Sequence, residues 1–103
     1  RELAKKGADF ISIPAAFTYT TGLAHWHSLI RARAIENGCF VFAPAQVGNH
    51  ENGRKTYGHS MIVDPWGKVI SSATNRKGII YAKVDPTLVR KSREKIPSMT
   101  SFL

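Results

Sequence analysis

Cys39 is the only cysteine of this 103-residue chain, and it is the first residue to consider as a nucleophile. A catalytic thiolate needs a lowered pKa, which a helix N-terminus or a neighbouring cation provides, and enough exposure to meet a substrate. Cys39 instead follows Asn37 and Gly38, a pair typical of a helix end, where the helix dipole disfavours negative charge. It also opens the apolar run CFVFAPAQV, so we predict that Cys39 is a buried packing residue.

The four histidines raise the question of a metal site. His25 and His27 are two residues apart in a predicted helix, so their side chains point about 200° apart. A helical zinc pair requires a spacing close to four residues. His50 and His59 could join them only through tertiary folding. We therefore expect no metal site.

The hydroxyl-rich segment PAAFTYTTG, residues 14–22, directly follows a predicted strand. In α/β proteins, ligands commonly bind beyond the carboxyl ends of the strands, so these hydroxyls could contact a substrate. Thr20 or Thr21 could instead cap the following helix by accepting a hydrogen bond from its first turn. Both roles stay open.

Other polar residues of that helix have simpler interpretations. Arg33 and Glu36 are three residues apart, a spacing that favours an ion pair stabilising the helix or an interface rather than chemistry. We interpret His25 and Trp26 as packing and hydrogen-bonding residues of the same helix.

The elements that must position these residues follow from apolar periodicity. Residues 1–7 are typical of the last turns of a helix whose beginning is absent, and 9–14 form a predicted buried strand. A helix then runs to Asn37-Gly38, with one apolar face that consists of Leu23, Trp26, Ile30 and Ala34. Residues 39–47 form a strand covered on both faces. Strand, helix and strand in this order predict a right-handed parallel α/β unit.

The pattern changes in the second half of the chain. Residues 48–57 are a predicted polar loop, followed by strands at 59–64, 68–73 and 79–85. The turn Asp64-Pro-Trp-Gly67 joins the first two of these strands, with Trp66 as its expected hydrophobic anchor. Pro86 is the expected first residue of a helix over 86–95, which Ile96-Pro97 ends.

Composition limits the possible classes of protein. The net charge of +8 comes from 15 basic and 7 acidic residues spread along the chain. The one dense basic group, 90–95, contains Glu94, which favours a solvated helix face over a nucleic-acid patch. The chain has neither an apolar run long enough to cross a membrane nor an N-terminal signal-type segment, and a single cysteine agrees with a reducing compartment. We expect a cytoplasmic location.

Two long segments carry a family resemblance. GADFISIPAAFTYTTGLAHWHSLIRARAIENGCFVFAPAQVG, residues 7–48, and GRKTYGHSMIVDPWGKVI, residues 53–70, resemble the carbon–nitrogen hydrolase (nitrilase) superfamily. The branch with the nearest resemblance contains the Nit-type amidases that act on deaminated glutathione. This resemblance implies a four-layer α-β-β-α sandwich, dimers with eight layers, and hydrolysis of amides or nitriles by a Glu, Lys, Cys triad whose cysteine is acylated. It implies no cofactor and no metal.

The resemblance also implies which part of such an enzyme the chain represents. The family's nucleophile lies in a motif like CYDLRFPE, before a helix that continues into RELAKKGAD, and the Glu and Lys, with a supporting Glu, precede it. Residues 1–103 would then be the C-terminal part of one domain, with no catalytic residue and no activity as an isolated chain. By the same resemblance, the substrate-contacting residues are Phe17, Thr18, Thr20, Thr21 and Tyr57.

The expected partners are a small amide substrate in the complete enzyme and either further copies of the chain or the missing N-terminal part. Membrane and nucleic-acid partners are not expected. A non-catalytic interaction or vestigial module with the same fold is the alternative function, and a basic nucleic-acid-binding domain is a less favoured one.

Overall fold

A computed structural model describes residues 2–14, 18–45, 47–49, 55–74 and 78–96 of the chain. Phe17, a predicted substrate contact, lies outside these ranges, as does most of the predicted polar loop. The elements, in chain order, are α1 (Glu2–Lys5), β1 (Phe10–Ser12), α2 (Tyr19–Asn37), β2 (Phe40–Ala43), β3 (Val47–Asn49), β4 (Lys55–Tyr57), β5 (Met61–Val63), β6 (Val69–Ser72) and α3 (Thr87–Lys95).

Four of the strands form one sheet in the order β1-β2-β5-β6. β1 and β2 are parallel and are connected through α2, which confirms the predicted parallel unit. β5 and β6 extend the sheet in antiparallel fashion, with Val41 of β2 opposite Val63 of β5. The fold is therefore a mixed α/β one, with an apolar strand, β2, inside the sheet.

The core lies between α2 and this sheet. Trp26, Ile30 and Ala34 of α2 are buried against β2 and β5, as their helical spacing predicts. Leu23 was expected on the same face, but 63% of it is exposed. The buried positions repeat every four residues, so the residue one turn before Trp26 is Gly22, which is buried where Leu23 was expected.

Both ends of α2 have defined caps. Thr18 is the N-cap, and its hydroxyl accepts a hydrogen bond from the Thr21 backbone N–H at 3.4 Å. The expectation that Thr20 or Thr21 caps the helix was wrong, because both lie inside its first turn. Gly38 ends the helix in the left-handed region, at φ 59°, as predicted.

Two predicted elements of the second half differ in the structure. β3 and β4 pair as an antiparallel hairpin that, except for Val47, lies in the segment predicted as a polar loop, since backbone pairing does not require apolar side chains on both faces. Residues 78–85 contain no strand, although 79–85 have a strand-like sequence. Alternation alone does not make a strand; ladder hydrogen bonds also require a neighbour, and no described strand pairs with this segment.

The turn between β5 and β6 is stabilised by a carboxylate rather than by the indole. Asp64 is buried, and its Oδ1 accepts hydrogen bonds from the backbone N–H groups of Trp66 and Lys68, both at 2.9 Å. Trp66 is 54% exposed, so its predicted role as hydrophobic anchor was wrong. Aspartate side chains commonly stabilise turns in this way, by bonding the backbone two residues on.

α3 begins one residue later than predicted, because Pro86 is its N-cap and Thr87 its first residue. Asp85 accepts hydrogen bonds from both the backbone and the hydroxyl of Thr87, at 3.0 and 2.7 Å. In the described part of the chain, no helix has the length and apolar character to cross a membrane.

Candidate functional site

The first turns of α2 and the end of β4 bring together the predicted substrate contacts that the structure describes. Tyr57, the last residue of β4, is buried and packs directly on Gly22, where an added Cβ would collide with Cβ and Cγ of the tyrosine. Thr18, Thr20 and Thr21 lie within one helical turn of Gly22. A glycine at this position therefore lets the hydroxyl-bearing turn approach Tyr57 closely.

The three threonines differ in what their side chains already do. The Thr18 hydroxyl donates to Thr21 Oγ1 at 2.9 Å while accepting from the Thr21 backbone, so it is used in capping. Thr20 and Thr21 are exposed, and no cap bond involves Thr20. Of the three hydroxyl groups, that of Thr20 contributes least to the local structure.

His59 follows Tyr57 in an uncommon backbone conformation. Its φ of 59° lies in the left-handed region, and it is the single described non-glycine residue with a positive φ. Three hydrogen bonds fix it: Trp26 Nε1 donates to its carbonyl at 2.7 Å, its own N–H donates to Thr74 O at 3.2 Å, and its Nδ1 bonds Tyr57 O at 2.7 Å. Strained residues persist where surrounding contacts over-determine them, and they concentrate at functional sites.

The His59 ring stacks on the Tyr57 ring, with centroids 3.9 Å apart and an angle of 18° between the planes. His27 of α2 completes the group, 6.1 Å from the His59 ring and 6.3 Å from the Tyr57 ring in edge-on geometry. Sequence reasoning missed this grouping. The YGHS segment gives no local signal that a histidine adopts a left-handed conformation, and the partner ring comes from a distant helix.

The electrostatics of this group disfavour protonation of His27. Partial desolvation of the ring lowers the pKa of His27, although the residue is exposed at its edge, and positive charge on His59 and Arg31 lowers it further. At neutral pH His27 is therefore an uncharged imidazole, able to accept as well as donate a hydrogen bond.

Ser60 connects this region to the end of β2. Its hydroxyl accepts from the Ala45 N–H at 2.8 Å and lies 3.3 Å from the Ala45 carbonyl, to which it can donate. These two bonds fix the chain after β2 next to the β4–β5 connection, so the backbone around His59 is held from both sides.

Cys39 lies at the opposite end of α2 and is completely buried, which confirms the predicted burial. Its thiol can donate to Ala8 O at 3.2 Å or to Asn37 O at 3.4 Å. Arg93 of α3 donates to Cys39 Sγ at 3.2 Å and to Ala8 O at 2.8 Å. Burial raises the pKa of the Cys39 thiol, and the Arg93 guanidinium only partly opposes this shift.

A cavity of about 340 Å³ lies near this end of the molecule, and none of the predicted substrate contacts lines it. Its walls consist of Asp9, Pro86, Val89, Arg90, Arg93 and Glu94. Charged side chains of both signs face the cavity, so it has no dominant charge.

The remaining candidates have structural roles or form no cluster. Arg33 and Glu36 form the predicted ion pair at 2.6 Å on the exposed face of α2. Across the described ranges, no group of three or more His, Cys, Asp or Glu side chains is placed to hold a metal.

Comparisons of the amino-acid sequence with known proteins all relate this chain to the same group of proteins. A family model described as carbon-nitrogen hydrolase matches residues 1–94. A deaminated glutathione amidase of Synechocystis sp. is 46% identical over 99 residues, which cover 96% of this chain and 36% of the relative. A nitrilase and fragile histidine triad fusion protein, NitFhit of Caenorhabditis elegans, is 52% identical over 93 residues, covering 90% of this chain and 21% of the relative.

Solved structures agree with these matches. The crystal structure of C. elegans NitFhit superposes with a TM-score of 0.89 at 49% identity, covering 94% of this chain and 24% of that one. Saccharomyces cerevisiae Nit3, a member of branch 10 of the nitrilase superfamily, gives a TM-score of 0.84 at 39% identity, covering 91% of this chain and 35% of that one. The four-stranded sheet therefore matches part of a nitrilase fold, and the chain spans about a third or less of the length of these relatives.

Proposed function

Because the chain belongs to the carbon–nitrogen hydrolase family of the nitrilase superfamily, we propose that it is the C-terminal part of an amidase that hydrolyses a non-peptide C–N amide bond through a cysteine thioester. The observation that carries this proposal is the 46% identity, over 96% of the chain, to a deaminated glutathione amidase. The proposed substrate class is a small amide, and the proposed complete fold is the four-layer α-β-β-α sandwich.

In this proposal the catalytic Glu, Lys and Cys belong to the rest of the parent enzyme. Support comes from the surroundings of Cys39, which has no exposed surface and a raised thiol pKa. A nucleophilic cysteine needs the opposite, a lowered pKa and access for the substrate. Cys39 is therefore proposed to pack and to hydrogen-bond, not to attack.

The chain's proposed contribution to the substrate pocket is the set Phe17, Thr18, Thr20, Thr21 and Tyr57. Among these, Thr20 has an exposed side chain, and Tyr57 presents a ring fixed between Gly22 and His59. A fixed aromatic ring beside an exposed hydroxyl group is suited to orienting a small polar substrate.

The proposed partner is the missing part of the same fold or another copy of the chain. Ile79 and Tyr81, two residues apart in the chain, are 78% and 80% exposed, and contiguous exposed apolar surface is typical of sites of protein association. β1 and β6 are also open sheet edges in the described part of the molecule. Light scattering tests this proposal: we expect oligomers or aggregates, and a well-folded monomer with a sharp cooperative melt would contradict it.

An activity assay tests the proposed function. The isolated chain and the same chain joined to its native preceding sequence are assayed in parallel against α-keto acid amides. We expect turnover only in the longer protein, and we expect Cys39→Ala to leave that turnover in place. Turnover by the isolated chain that disappears in Cys39→Ala would contradict both the proposed truncation and the proposed role of Cys39.

A further inference from the structure

We infer that His27 and His59 form a binding site for a single divalent transition-metal ion, such as Zn²⁺ or Ni²⁺, between the middle of α2 and the connection from β4 to β5. Their ring centroids lie 6.1 Å apart with 66° between the planes, and both side chains reach solvent at least in part. The inference does not rest on the proposed amidase activity, although His59 stacks on Tyr57, one of the proposed substrate contacts.

The hydrogen bond made by Nδ1 of His59 leaves Nε2 available to bind a metal. Nδ1 lies 2.7 Å from the Tyr57 carbonyl, which can only accept, so the hydrogen sits on Nδ1. In the neutral ring, Nε2 then has its lone pair available. Histidines that bind metals almost always donate their other ring N–H to a carbonyl or carboxylate, and this bond fixes the tautomer and the orientation of the ring.

The two histidines are also held at a defined separation. Trp26, the residue before His27, donates from Nε1 to the His59 carbonyl at 2.7 Å, which ties α2 to the backbone of His59. The left-handed conformation of His59 and its stacking on Tyr57 further restrict where its ring can point. A pair of ligands held in place in this way loses little conformational entropy on binding.

The distance is close to what a shared metal requires. Zinc–nitrogen bonds of about 2.0–2.1 Å place the centroids of two rings roughly 5 Å apart at a tetrahedral angle. The His27 ring, on an exposed part of the helix, therefore has to approach His59 by about 1 Å and to turn a ring nitrogen towards Nε2 of His59. Water would fill the remaining coordination positions, as it fills the fourth position of catalytic zinc sites.

The donor set also predicts which metals bind. Both donors are neutral nitrogen atoms, and Arg31, one helical turn beyond His27, adds positive charge that weakens the binding of any cation. Imidazole ligands suit zinc, copper and nickel, whereas Mg²⁺ and Ca²⁺ require oxygen ligands. The site should therefore select the former group of metals.

Calorimetric titration of the whole chain with ZnCl₂ and NiCl₂ tests the proposal, with MgCl₂ as the chemical control. The variants are His27→Gln, His59→Asn, which keeps a residue tolerant of the left-handed region, and His25→Gln as the matched control. His25 is exposed on α2 two residues before His27 and points elsewhere. We expect one-to-one binding by the native chain and by His25→Gln, and at least about tenfold weaker binding, or about 1.4 kcal/mol, by the other two variants.

Several outcomes would overturn the inference. They are undiminished binding by His27→Gln, an equal loss in His25→Gln, or equal binding of Mg²⁺. Circular dichroism checks that each variant folds. Should His59→Asn not fold, the comparison of His27→Gln with His25→Gln decides, since both change exposed helix residues. As a second readout, Ni²⁺ should broaden the ring resonances of His27 and His59 in the NMR spectrum and spare those of His25.

Discussion

The residues that most suggest chemistry lie near the two ends of α2, and the two ends differ in how far solvent can reach these residues. At the C-terminal end, Cys39 is enclosed between Ala8, Asn37 and Arg93 with no exposed surface. At the N-terminal end, exposed threonines lie beside a stacked Tyr57–His59 pair, in which Tyr57 is buried and His59 is partly exposed. A reactive residue type therefore indicates a functional site only where a substrate can also reach it.

A substitution at Gly22 should have the largest effect on this arrangement. Ala at an ordinary helix position stabilises by about 1 kcal/mol relative to Gly. At Gly22 the added Cβ would collide with Cβ and Cγ of Tyr57, which are close to the backbone and cannot swing away. We expect Gly22→Ala to lower the free energy of unfolding by about 1–3 kcal/mol, the usual cost of overpacking.

Gly78→Ala is the matched control for this measurement, because an added Cβ there meets no atom within 4 Å. Chemical denaturation of both variants measures the difference. Equal stability of Gly22→Ala and Gly78→Ala would show that α2 does not need its close approach to Tyr57.

Removal of Arg93 should have the next largest effect, at the buried end of α2. Arg93→Met deletes the hydrogen bonds to Ala8 O and Cys39 Sγ and the looser ion pair with Asp9 at 3.7 Å. In the described structure Arg93 Nε is buried without a hydrogen-bond partner. Removing this unsatisfied group offsets part of the stability that Arg93→Met loses with these bonds. We therefore expect a loss of about 1–2 kcal/mol, somewhat below the roughly 1.5–3 kcal/mol usual for hydrogen bonds to a charged group.

Arg90→Met, on the exposed surface of the same helix, serves as the control for Arg93→Met. Modification of Cys39 by a thiol reagent gives a second readout. Native chain should react far more slowly than unfolded chain, because the thiol is buried and its pKa is raised. Fast modification of Cys39 in the folded chain would contradict the conclusion that its thiol is enclosed at the C-terminal end of α2.

The threonines allow a finer separation of stability from substrate binding in the complete enzyme. Thr18→Ala removes the N-cap and should cost about 1 kcal/mol of stability. Thr20→Ala removes an exposed hydroxyl without a capping role, so it should change KM or substrate preference and leave the melting temperature nearly unchanged. Unchanged kinetics in both variants, with a loss of melting temperature in Thr18→Ala, would leave capping by Thr18 as the sole function of this turn.

The smallest effect concerns the pH dependence contributed by His27. Its pKa in the folded state is lowered, chiefly by desolvation, so the unfolded chain binds a proton more readily. Stability from this group is therefore complete above the ordinary histidine pKa of about 6.5 and is lost as the pH falls through the folded value. His27→Gln should remove this part of the decline between neutral and mildly acidic pH.

Urea unfolding at a series of pH values, with His25→Gln as control, measures the contribution of His27. An NMR titration of the His27 ring gives its folded pKa directly. A value at or above that of a model histidine would show that the cluster around Tyr57 does not desolvate the ring.

Several features of the fold could be predicted from local sequence alone. The spacing of Trp26, Ile30 and Ala34 predicts the buried face of α2, because helical periodicity fixes which residues share a side. Gly38 predicts the end of the helix, since it lacks the Cβ that penalises a left-handed conformation. Leu23 and Trp66 were predicted to pack in the interior but are exposed, because hydrophobicity alone does not specify which apolar side chains pack against a neighbouring element.

The family, the course of the helices and the burial of Cys39 could all be inferred from the amino-acid sequence alone. Contacts between residues that are far apart in the chain are seen only in the folded molecule: Trp26 bonds His59, 33 positions away, and Arg93 bonds Cys39, 54 positions away. Local patterns encode helical and strand periods, which span a few residues. The left-handed His59 and the guanidinium over Cys39 depend on contacts between separate elements, which no local pattern contains.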